Sequence, residues 1–122
     1  MKDVVVLTGS GGIGQAIARR VGAGKHIVLG DLRKEAADAA AEILENAGFE
    51  VSTIAVDISS RESILALVEH AQQFGAVKNF INAAGVSPSQ APVSAILKVD
   101  LYGTAVLLEE FGKIISEGGS GV

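Results

Sequence analysis

Apolar residues along the chain follow two patterns that alternate. Short runs rich in β-branched residues begin near Val4, His26, Val51 and Val77, and after each run the apolar residues recur at helical spacing. Short apolar runs predict buried strands, and recurrence at helical spacing predicts amphipathic helices. The pattern therefore predicts a chain in which strands and helices alternate.

Turn-forming residues and capping patterns set the limits of these elements. The predicted strands cover residues 4–8, 26–29, 51–56 and 77–82, and predicted helices cover residues 13–21, 34–47 and 94–116. Another helix is predicted from about residue 60, because Ser59-Ser60-Arg61-Glu62 fits the S-x-x-E capping box. A fifth strand would begin at Gly121-Val122.

Alternation of this kind predicts an α/β fold with a doubly wound parallel sheet. Parallel strands need right-handed crossovers, and the helices then cover both faces of the sheet. The expected strand order is 3-2-1-4, with the fourth strand an unpaired edge, so the sheet is incomplete on its C-terminal side. In that order the chain reverses direction between strands 1 and 4, where ligands bind at the carboxyl ends of the strands.

Composition and charge narrow the choice of partners. The 122 residues suffice for one domain, and a formal charge of −4 argues against a nucleic-acid partner, which needs clustered basic residues. The absence of Cys excludes disulfides and thiolate catalysis and fits a cytoplasmic protein. The first apolar run is too short for a signal peptide or membrane span, so no membrane partner is expected. His26 and His70 have no neighbouring second ligand, so they are interpreted as surface or edge residues and no metal site is expected.

The turn after the first predicted strand carries a specific chemical signal. Gly9-Ser10-Gly11-Gly12-Ile13-Gly14 matches the G-x-G-x-x-G pattern, between a strand and a helix as that pattern requires. Glycines let the backbone approach a pyrophosphate, whose charge is stabilised by the amides and dipole at the start of the helix. A plain turn needing glycine for positive φ is the alternative, although the glycines here exceed what a turn requires. Residues 1–122 are therefore interpreted as one dinucleotide-binding domain of the Rossmann type.

An acidic residue ends the second predicted strand. Asp31, followed by Leu32, lies where a carboxylate accepts both ribose hydroxyls of an adenosine and repels a 2′-phosphate, which favours NAD over NADP. Arg33 and Lys34 follow closely and would soften this preference. The alternative is that Asp31 only caps the next turn.

The third and fourth predicted strands end at the same edge of the sheet. Asp57 and Ile58 follow the third strand, where the carboxylate could accept the adenine amino group and Ile58 could contact the ring. A carboxylate that caps the next helix is the alternative for Asp57. After the fourth strand, Asn82-Ala83-Ala84-Gly85 provides small side chains that leave room for a nucleotide, and Asn82 can hydrogen-bond neighbouring backbone.

Several of these motifs together resemble the short-chain dehydrogenase/reductase family. The resemblance rests on Thr8-Gly9, Gly12-Ile13-Gly14, Asp57 and Asn82-Ala83-Ala84-Gly85, at separations that span the whole chain. It implies NAD(P)-dependent hydride transfer on a small-molecule alcohol or carbonyl, by an enzyme that forms a homo-oligomer.

The chain also departs from the family pattern. The family's glycine motif is T-G-x-x-x-G-x-G, and the segment from Thr8 to Gly14 is one residue shorter. Ala83 replaces the second Asn of the family's N-N-A-G motif. Asp100 stands where similar enzymes carry a catalytic Asn, and a carboxylate accepts hydrogen bonds but donates no amide proton.

The resemblance implies that the catalytic Ser and the Y-x-x-x-K pair lie beyond Val122. Tyr102 is the chain's single Tyr, and Val106 rather than Lys follows one helical turn later, so Tyr102 cannot replace the family's Tyr. The expected activity of these residues is therefore cofactor binding without turnover.

Two other functions remain open at the level of sequence. One is a non-catalytic nucleotide-binding module, and the other is a methyltransferase-like domain that binds S-adenosylmethionine with a similar glycine loop and acidic residue. Self-association is also expected, either through the unpaired fourth strand or through the region of Val106, Phe111 and Ile115.

Overall fold

The computed structural model describes residues 1–85 and 89–122. The strands are β1 (Val4–Thr8), β2 (His26–Asp31), β3 (Glu50–Ala55), β4 (Val77–Asn82) and β5 (Ser120–Gly121). The helices are α1 (Gly12–Val21), α2 (Lys34–Asn46), α3 (Arg61–Gln72), α4 (Val93–Ile96) and α5 (Thr104–Gly112), with a π-helical segment, Leu97–Gly103, between α4 and α5. None of the helices in the described ranges is long and apolar enough to cross a bilayer.

The parallel sheet confirms the predicted α/β fold and strand order, and its fifth strand begins at Ser120, one residue before the predicted position. The order is β3-β2-β1-β4-β5, and each neighbouring pair is parallel. The expectation that β4 is an unpaired edge was wrong. Ser120 pairs with Asn79, and the Asn82 amide donates to the Val122 carbonyl at 2.7 Å, so the last residues cover that edge.

Helices cover both faces of the sheet because β1 is apolar on both sides. Val5 and Leu7 join a buried cluster with residues of α1 and α2, whereas Val4 and Val6 join a second cluster with residues of α3 and α5. Successive side chains of a strand point to opposite faces, so a run of apolar residues needs two layers of helix. Because the helices cover the two faces of the sheet, the loops at the carboxyl ends of the strands remain available to form a site.

Helix α3 begins one residue later than the capping-box pattern predicted. Its N-cap is Ser60 rather than Ser59, and the Ser60 hydroxyl accepts from the Ser63 amide at 3.3 Å. The Ser59 hydroxyl instead donates to Asp57 Oδ1 at 2.6 Å. The predicted start near residue 60 is thus confirmed, whereas Ser59 is not the cap because its hydroxyl is bonded to the carboxylate at the end of β3.

The last predicted helix is shorter than expected, and the part of its apolar face around Val106 and Phe111 is already buried. It ends at Gly112, after which the Ser116 amide donates to the Val77 carbonyl and turns the chain into β5. Val106 and Phe111 are only 2% and 1% exposed, so the predicted self-association surface around them is wrong. Phe111 stacks on Phe80 with the ring centroids 4.3 Å apart.

His26 is buried, in contrast to the surface or edge position expected for it. Its Nδ1 lies 2.6 Å from Glu50 Oε1, its Nε2 lies 2.9 Å from Ser52 Oγ, and its ring stacks on Phe74. Lys2 Nζ donates to the other Glu50 oxygen at 2.9 Å. This polar cluster ties the amino ends of β2 and β3 together, at the edge of the sheet opposite the predicted site.

Candidate functional site

The turn between β1 and α1 contains two kinds of glycine. Gly9 has φ +92°, and a Cβ there would lie 2.6 Å from the Ala83 carbonyl carbon; a Cβ on Gly14 would lie 2.9 Å from the Gly9 carbonyl oxygen. A Cβ on Gly11 or Gly12 would meet none of the described residues within 4 Å. Gly9 and Gly14 are therefore needed for backbone packing, whereas Gly11 and Gly12 leave the backbone open to a ligand.

The start of α1 is suited to an anion. Gly11 is the N-cap, no side chain caps the helix, and its first turn has no acidic residue. The first amides of a helix lack backbone acceptors within the helix and carry the positive end of its dipole. The open faces of Gly11 and Gly12 therefore lie beside amides that are available to a phosphate.

Asp31 is held at the end of β2 by the glycine-rich turn. The Ser10 amide and hydroxyl donate to Asp31 Oδ2 at 3.0 and 2.6 Å, and the Arg33 amide donates to Oδ1 at 3.0 Å. Burial acts to raise the pKa of Asp31, but hydrogen bonds from the Ser10 hydroxyl and the Arg33 and Ser10 amides outweigh it and keep the pKa below its usual value. Asp31 thus both caps the next turn and presents an ionised carboxylate at this edge.

Asp57 and Ile58 follow β3 at the same edge. Asp57 Oδ1 accepts from the Ser59 amide at 3.0 Å, so this carboxylate caps the turn before α3, and the Asp57 amide donates to Ser63 Oγ at 2.8 Å. Ile58 is 7% exposed, and a Cβ on Gly103 would lie 2.5 Å from its carbonyl oxygen. The close approach of Gly103 brings the π-helical segment against the end of β3.

Asn82 joins three elements at the end of β4. Its Oδ1 accepts from the Thr8 hydroxyl at 2.7 Å and from the Ala84 amide at 3.3 Å, and its Nδ2 donates to Thr104 Oγ1 at 3.2 Å. The Ala83 amide donates to the Thr8 carbonyl at 2.7 Å. The bond from the Ala84 amide joins Asn82 to neighbouring backbone as predicted, and the bonds to Thr8 and Thr104 join it to side chains of two other elements.

The strand ends enclose a cleft of about 290 Å³. Its lining comes from the loops after β1, β2, β3 and β4 and from the π-helical segment: Thr8, Gly9, Ser10, Gly11, Gly30, Asp31, Leu32, Val56, Asp57, Ile58, Ala83, Ala84, Gly85 and Val99. Gly30, Val56 and Val99 were not singled out from the sequence. The sequence offered a signal for Gly30, because it directly precedes Asp31. In the structure, a Cβ on Gly30 would lie 2.8 Å from Val56 Cγ1.

A second depression adjoins this cleft through a shared wall. Ala83, Ala84 and Gly85 line both, and the second is completed by Ile13, Asn82, Gln90, Asp100 and Thr104. Ile13 is 78% exposed, so its side chain is available to a ligand rather than to the core. Gly12 and Gly14 line neither space.

Asp100 lies within the π-helical segment and beside the turn after β4. A Cβ on Gly85 would lie 3.1 Å from Asp100 Oδ1. π-Helical turns widen the helix, and they occur often at functional sites. Helical spacing in the sequence indicated a helix here but not this local change of pitch.

Comparison with known proteins agrees with this geometry. The family model described as short chain dehydrogenase matches residues 2–122. A short-chain dehydrogenase/reductase, bsc3, from Alternaria brassicicola is 41% identical over 119 residues, which are 98% of this chain and 43% of that protein. The chain spans about half the length of the curated relatives it matches.

Solved structures of similar proteins share the fold. A short-chain dehydrogenase/reductase of the glucose/ribitol dehydrogenase type from Brucella melitensis superposes with a TM-score of 0.83 at 29% identity, over 98% of this chain and 54% of that one. A short-chain dehydrogenase/reductase from Burkholderia phymatum, solved in complex with NAD, gives 0.81 at 28% identity, over 93% of this chain and 44% of that one.

Proposed function

The chain belongs to the short-chain dehydrogenase family, and on that premise we propose that it is the cofactor-binding part of an oxidoreductase acting on an alcohol or carbonyl. The cofactor is NAD, bound across the carboxyl ends of β1 to β4. The observation that carries this proposal is the cleft in which an ionised Asp31 faces the open start of α1.

The residues of the turn after β1 fit a pyrophosphate. Gly11 and Gly12 leave space beside the backbone, and the uncapped start of α1 provides amides and a favourable dipole. Thr8, Gly9 and Gly14 hold the turn in place, and Ser10 lines its inner side. A dinucleotide needs this close approach because its two phosphates carry charge that water would otherwise solvate.

The adenosine half of the cofactor is assigned to the side of the cleft formed by β2 and β3. Asp31 accepts a ribose hydroxyl, and Leu32 lies beside it in the cleft wall. Asp57 accepts the adenine amino group, and Ile58 forms the apolar floor. NAD is preferred over NADP because an ionised Asp31 repels a 2′-phosphate.

The nicotinamide half is assigned to the adjoining depression. Ile13 and the turn from Asn82 to Gly85 bound that space, and Asp100 lies on its far wall. When bound, the nicotinamide ring supplies the hydride acceptor and donor of the reaction. The chain's own residues here position the ring and keep the space beside it open, since Ala83, Ala84 and Gly85 have small side chains.

These 122 residues bind the cofactor without turnover in our proposal. A carbonyl reduction needs a proton donor beside the hydride, and the sequence has one Tyr. Tyr102 is followed one helical turn later by Val106, and Lys98 precedes it by four residues, so the Y-x-x-x-K order of the family is absent at Tyr102. Asp31, whose pKa is held below its usual value by its hydrogen bonds, is ionised near neutral pH and cannot donate a proton there.

Titration calorimetry with NADH, NADPH and S-adenosylmethionine tests the proposal. Binding of NADH, tighter than that of NADPH, is the expected result. Heat with S-adenosylmethionine and none with NADH would instead support a methyltransferase-like domain. Transfer of tritium from labelled NADH to a panel of carbonyl compounds, giving labelled alcohols, would show that the chain turns over and would contradict binding without catalysis.

A further inference from the structure

Ser10 contacts Asp31 with both of its donors, across a separation of twenty-one residues. The hydroxyl bond is 2.6 Å long and the amide bond is 3.0 Å long, and both end on Oδ2. Bonds from a neutral donor to a carboxylate are stronger than bonds between neutral groups. The pair therefore links the phosphate-binding turn directly to the carboxylate at the end of β2.

The backbone of Ser10 has little freedom to leave this position. The Gly9 amide donates to the Gly30 carbonyl at 2.8 Å, and the Ser10 carbonyl accepts from Gln15 Nε2 at 2.7 Å. Gly9 is packed against the Ala83 carbonyl, so the residue before Ser10 is held on two sides. The Ser10 hydroxyl is thus presented to Asp31 by a rigid turn.

The two hydrogen bonds from Ser10 set the orientation in which the Asp31 carboxylate can accept a hydrogen bond from a ribose. An ionised carboxylate offers about four acceptor sites. Two of those on Oδ2 are taken by Ser10, and one on Oδ1 is taken by the Arg33 amide. The carboxylate plane is therefore set before any ligand arrives, with the charge kept on the side of the cleft where the ribose is assigned.

We infer that Ser10 is a positioning residue for cofactor choice: its hydroxyl orients Asp31 so that the carboxylate accepts a ribose 2′-hydroxyl and excludes a 2′-phosphate. This inference rests on the proposed NAD site. Without the hydroxyl, Asp31 keeps only the bonds from the Ser10 and Arg33 amides, so its carboxylate is held less firmly and its charge is less closely directed at a phosphate in the cleft. NADH binding then weakens while NADPH binding changes less.

The test compares Ser10→Ala with Ser10→Thr, which keeps a hydroxyl, and with Ser94→Ala, which removes an exposed hydroxyl outside the cleft. Calorimetry with NADH and NADPH measures the preference. We expect Ser10→Ala to weaken NADH binding about fivefold and to lower the preference for NADH. The effect is modest because Asp31 is half-exposed, and a hydrogen bond to a charged group contributes less free energy when that group is in contact with water. Ser10→Thr and Ser94→Ala retain the wild-type preference.

A titration of the free chain gives a readout that does not depend on a nucleotide. The carbon-13 shift of the Asp31 carboxyl group reports its ionisation, and we expect its pKa to lie below 3.8 in the wild type and to rise in Ser10→Ala. An unchanged titration, an unchanged preference, or equal losses in Ser10→Ala and Ser10→Thr would each overturn the inference. A wild type that binds neither nucleotide would overturn the proposed function itself, whatever the titration shows.

Discussion

The side chains of Thr8 and Asn82 meet at the junction of β1 and β4, where the Thr8 hydroxyl donates to Asn82 Oδ1 at 2.7 Å. This bond joins the two strands between which the chain reverses direction, and each of its residues lines one of the two site spaces. The same oxygen accepts from the Ala84 amide, so one side chain sets both the strand junction and the turn.

Replacing Asn82 with Ala should reduce stability and weaken NADH binding together. The change leaves the Thr8 hydroxyl, the Ala84 amide and Thr104 without this partner, which costs about 1–3 kcal/mol of unfolding free energy. Urea unfolding and calorimetry measure the two effects. Asn46→Ala, at the exposed end of α2, is the control and should match the wild type. An Asn82→Ala chain as stable as the wild type would show that these bonds do not support the turn.

Replacing Asp31 with Ala should weaken NADH binding more than NADPH binding. NADH loses the acceptor of its ribose 2′-hydroxyl. NADPH carries a phosphate in place of that hydroxyl, so it loses at most an acceptor for the 3′-hydroxyl and is relieved of a repulsive charge. We expect about a tenfold loss for NADH, equivalent to about 1.4 kcal/mol, and a smaller loss for NADPH. Asp3→Ala removes an exposed carboxylate outside the cleft and is the charge-matched control. Equal losses for the two nucleotides would contradict the ribose assignment.

Replacing Gly14 and Gly12 with Ala in separate variants should distinguish the glycine needed for packing from the glycine needed for ligand approach. In Gly14→Ala the new Cβ meets the Gly9 carbonyl oxygen at 2.9 Å, and we expect a loss of about 1–3 kcal/mol of unfolding free energy. In Gly12→Ala the Cβ meets nothing, so stability should change by less than about 1 kcal/mol, while the methyl group obstructs the pyrophosphate.

Urea unfolding and NADH titration of the two variants give the readout. Gly112→Ala, whose Cβ also meets nothing within 4 Å, is the control for a helical glycine outside the site. If Gly12→Ala bound NADH as tightly as the wild type, the proposed place of the pyrophosphate would be wrong.

The stability of the chain should fall as the pH drops below 6.5, partly because of His70. Burial lowers the pKa of His70, the charge of nearby His26 lowers it further, and its Nε2 is buried without a partner in the described part of the chain. The folded chain therefore binds fewer protons at His70 than the unfolded chain does. The His70 contribution is complete above pH 6.5 and is lost progressively below it.

Urea unfolding from about pH 8 to about pH 5 measures this dependence. His70→Gln keeps a polar side chain of similar length without a titrating ring, so its stability should fall less steeply over this range. Parallel curves for the wild type and His70→Gln would show that His70 does not contribute to the slope.

Self-association should depend on the exposed leucines of the last helical stretch. Leu97 and Leu101 are 53% and 66% exposed, and burying them between two copies would remove apolar surface from water. We expect the wild type to sediment as a dimer or larger at high micromolar concentration, and Leu101→Glu to shift it toward monomer. Leu65→Glu changes an exposed leucine of α3 and is the control. A monomeric wild type would contradict the prediction.

The amino-acid sequence by itself determined the order and nature of the main elements. The apolar run of β4 predicted residues 77–82, which are the bounds observed, and the glycine-rich turn was placed between β1 and α1. These features are readable because strand and helix periodicity and the steric freedom of glycine are local properties of the chain. The strand order 3-2-1-4 followed from crossover rules that also act between neighbouring elements.

Only the tertiary structure decided which side chains meet. Three features join residues that lie far apart in the sequence: the contact between Ser10 and Asp31, the stacking of His26 on Phe74, and the pairing of β5 with β4. In a fourth, the cap at Ser60 in place of Ser59, neighbouring residues compete for the same role. Such contacts depend on the register of the strands and on where the helices lie across the sheet, and hydrophobic periodicity predicts neither. The orientation of Asp31 is thus a property of the folded sheet edge, although the presence of a carboxylate there was evident from the sequence.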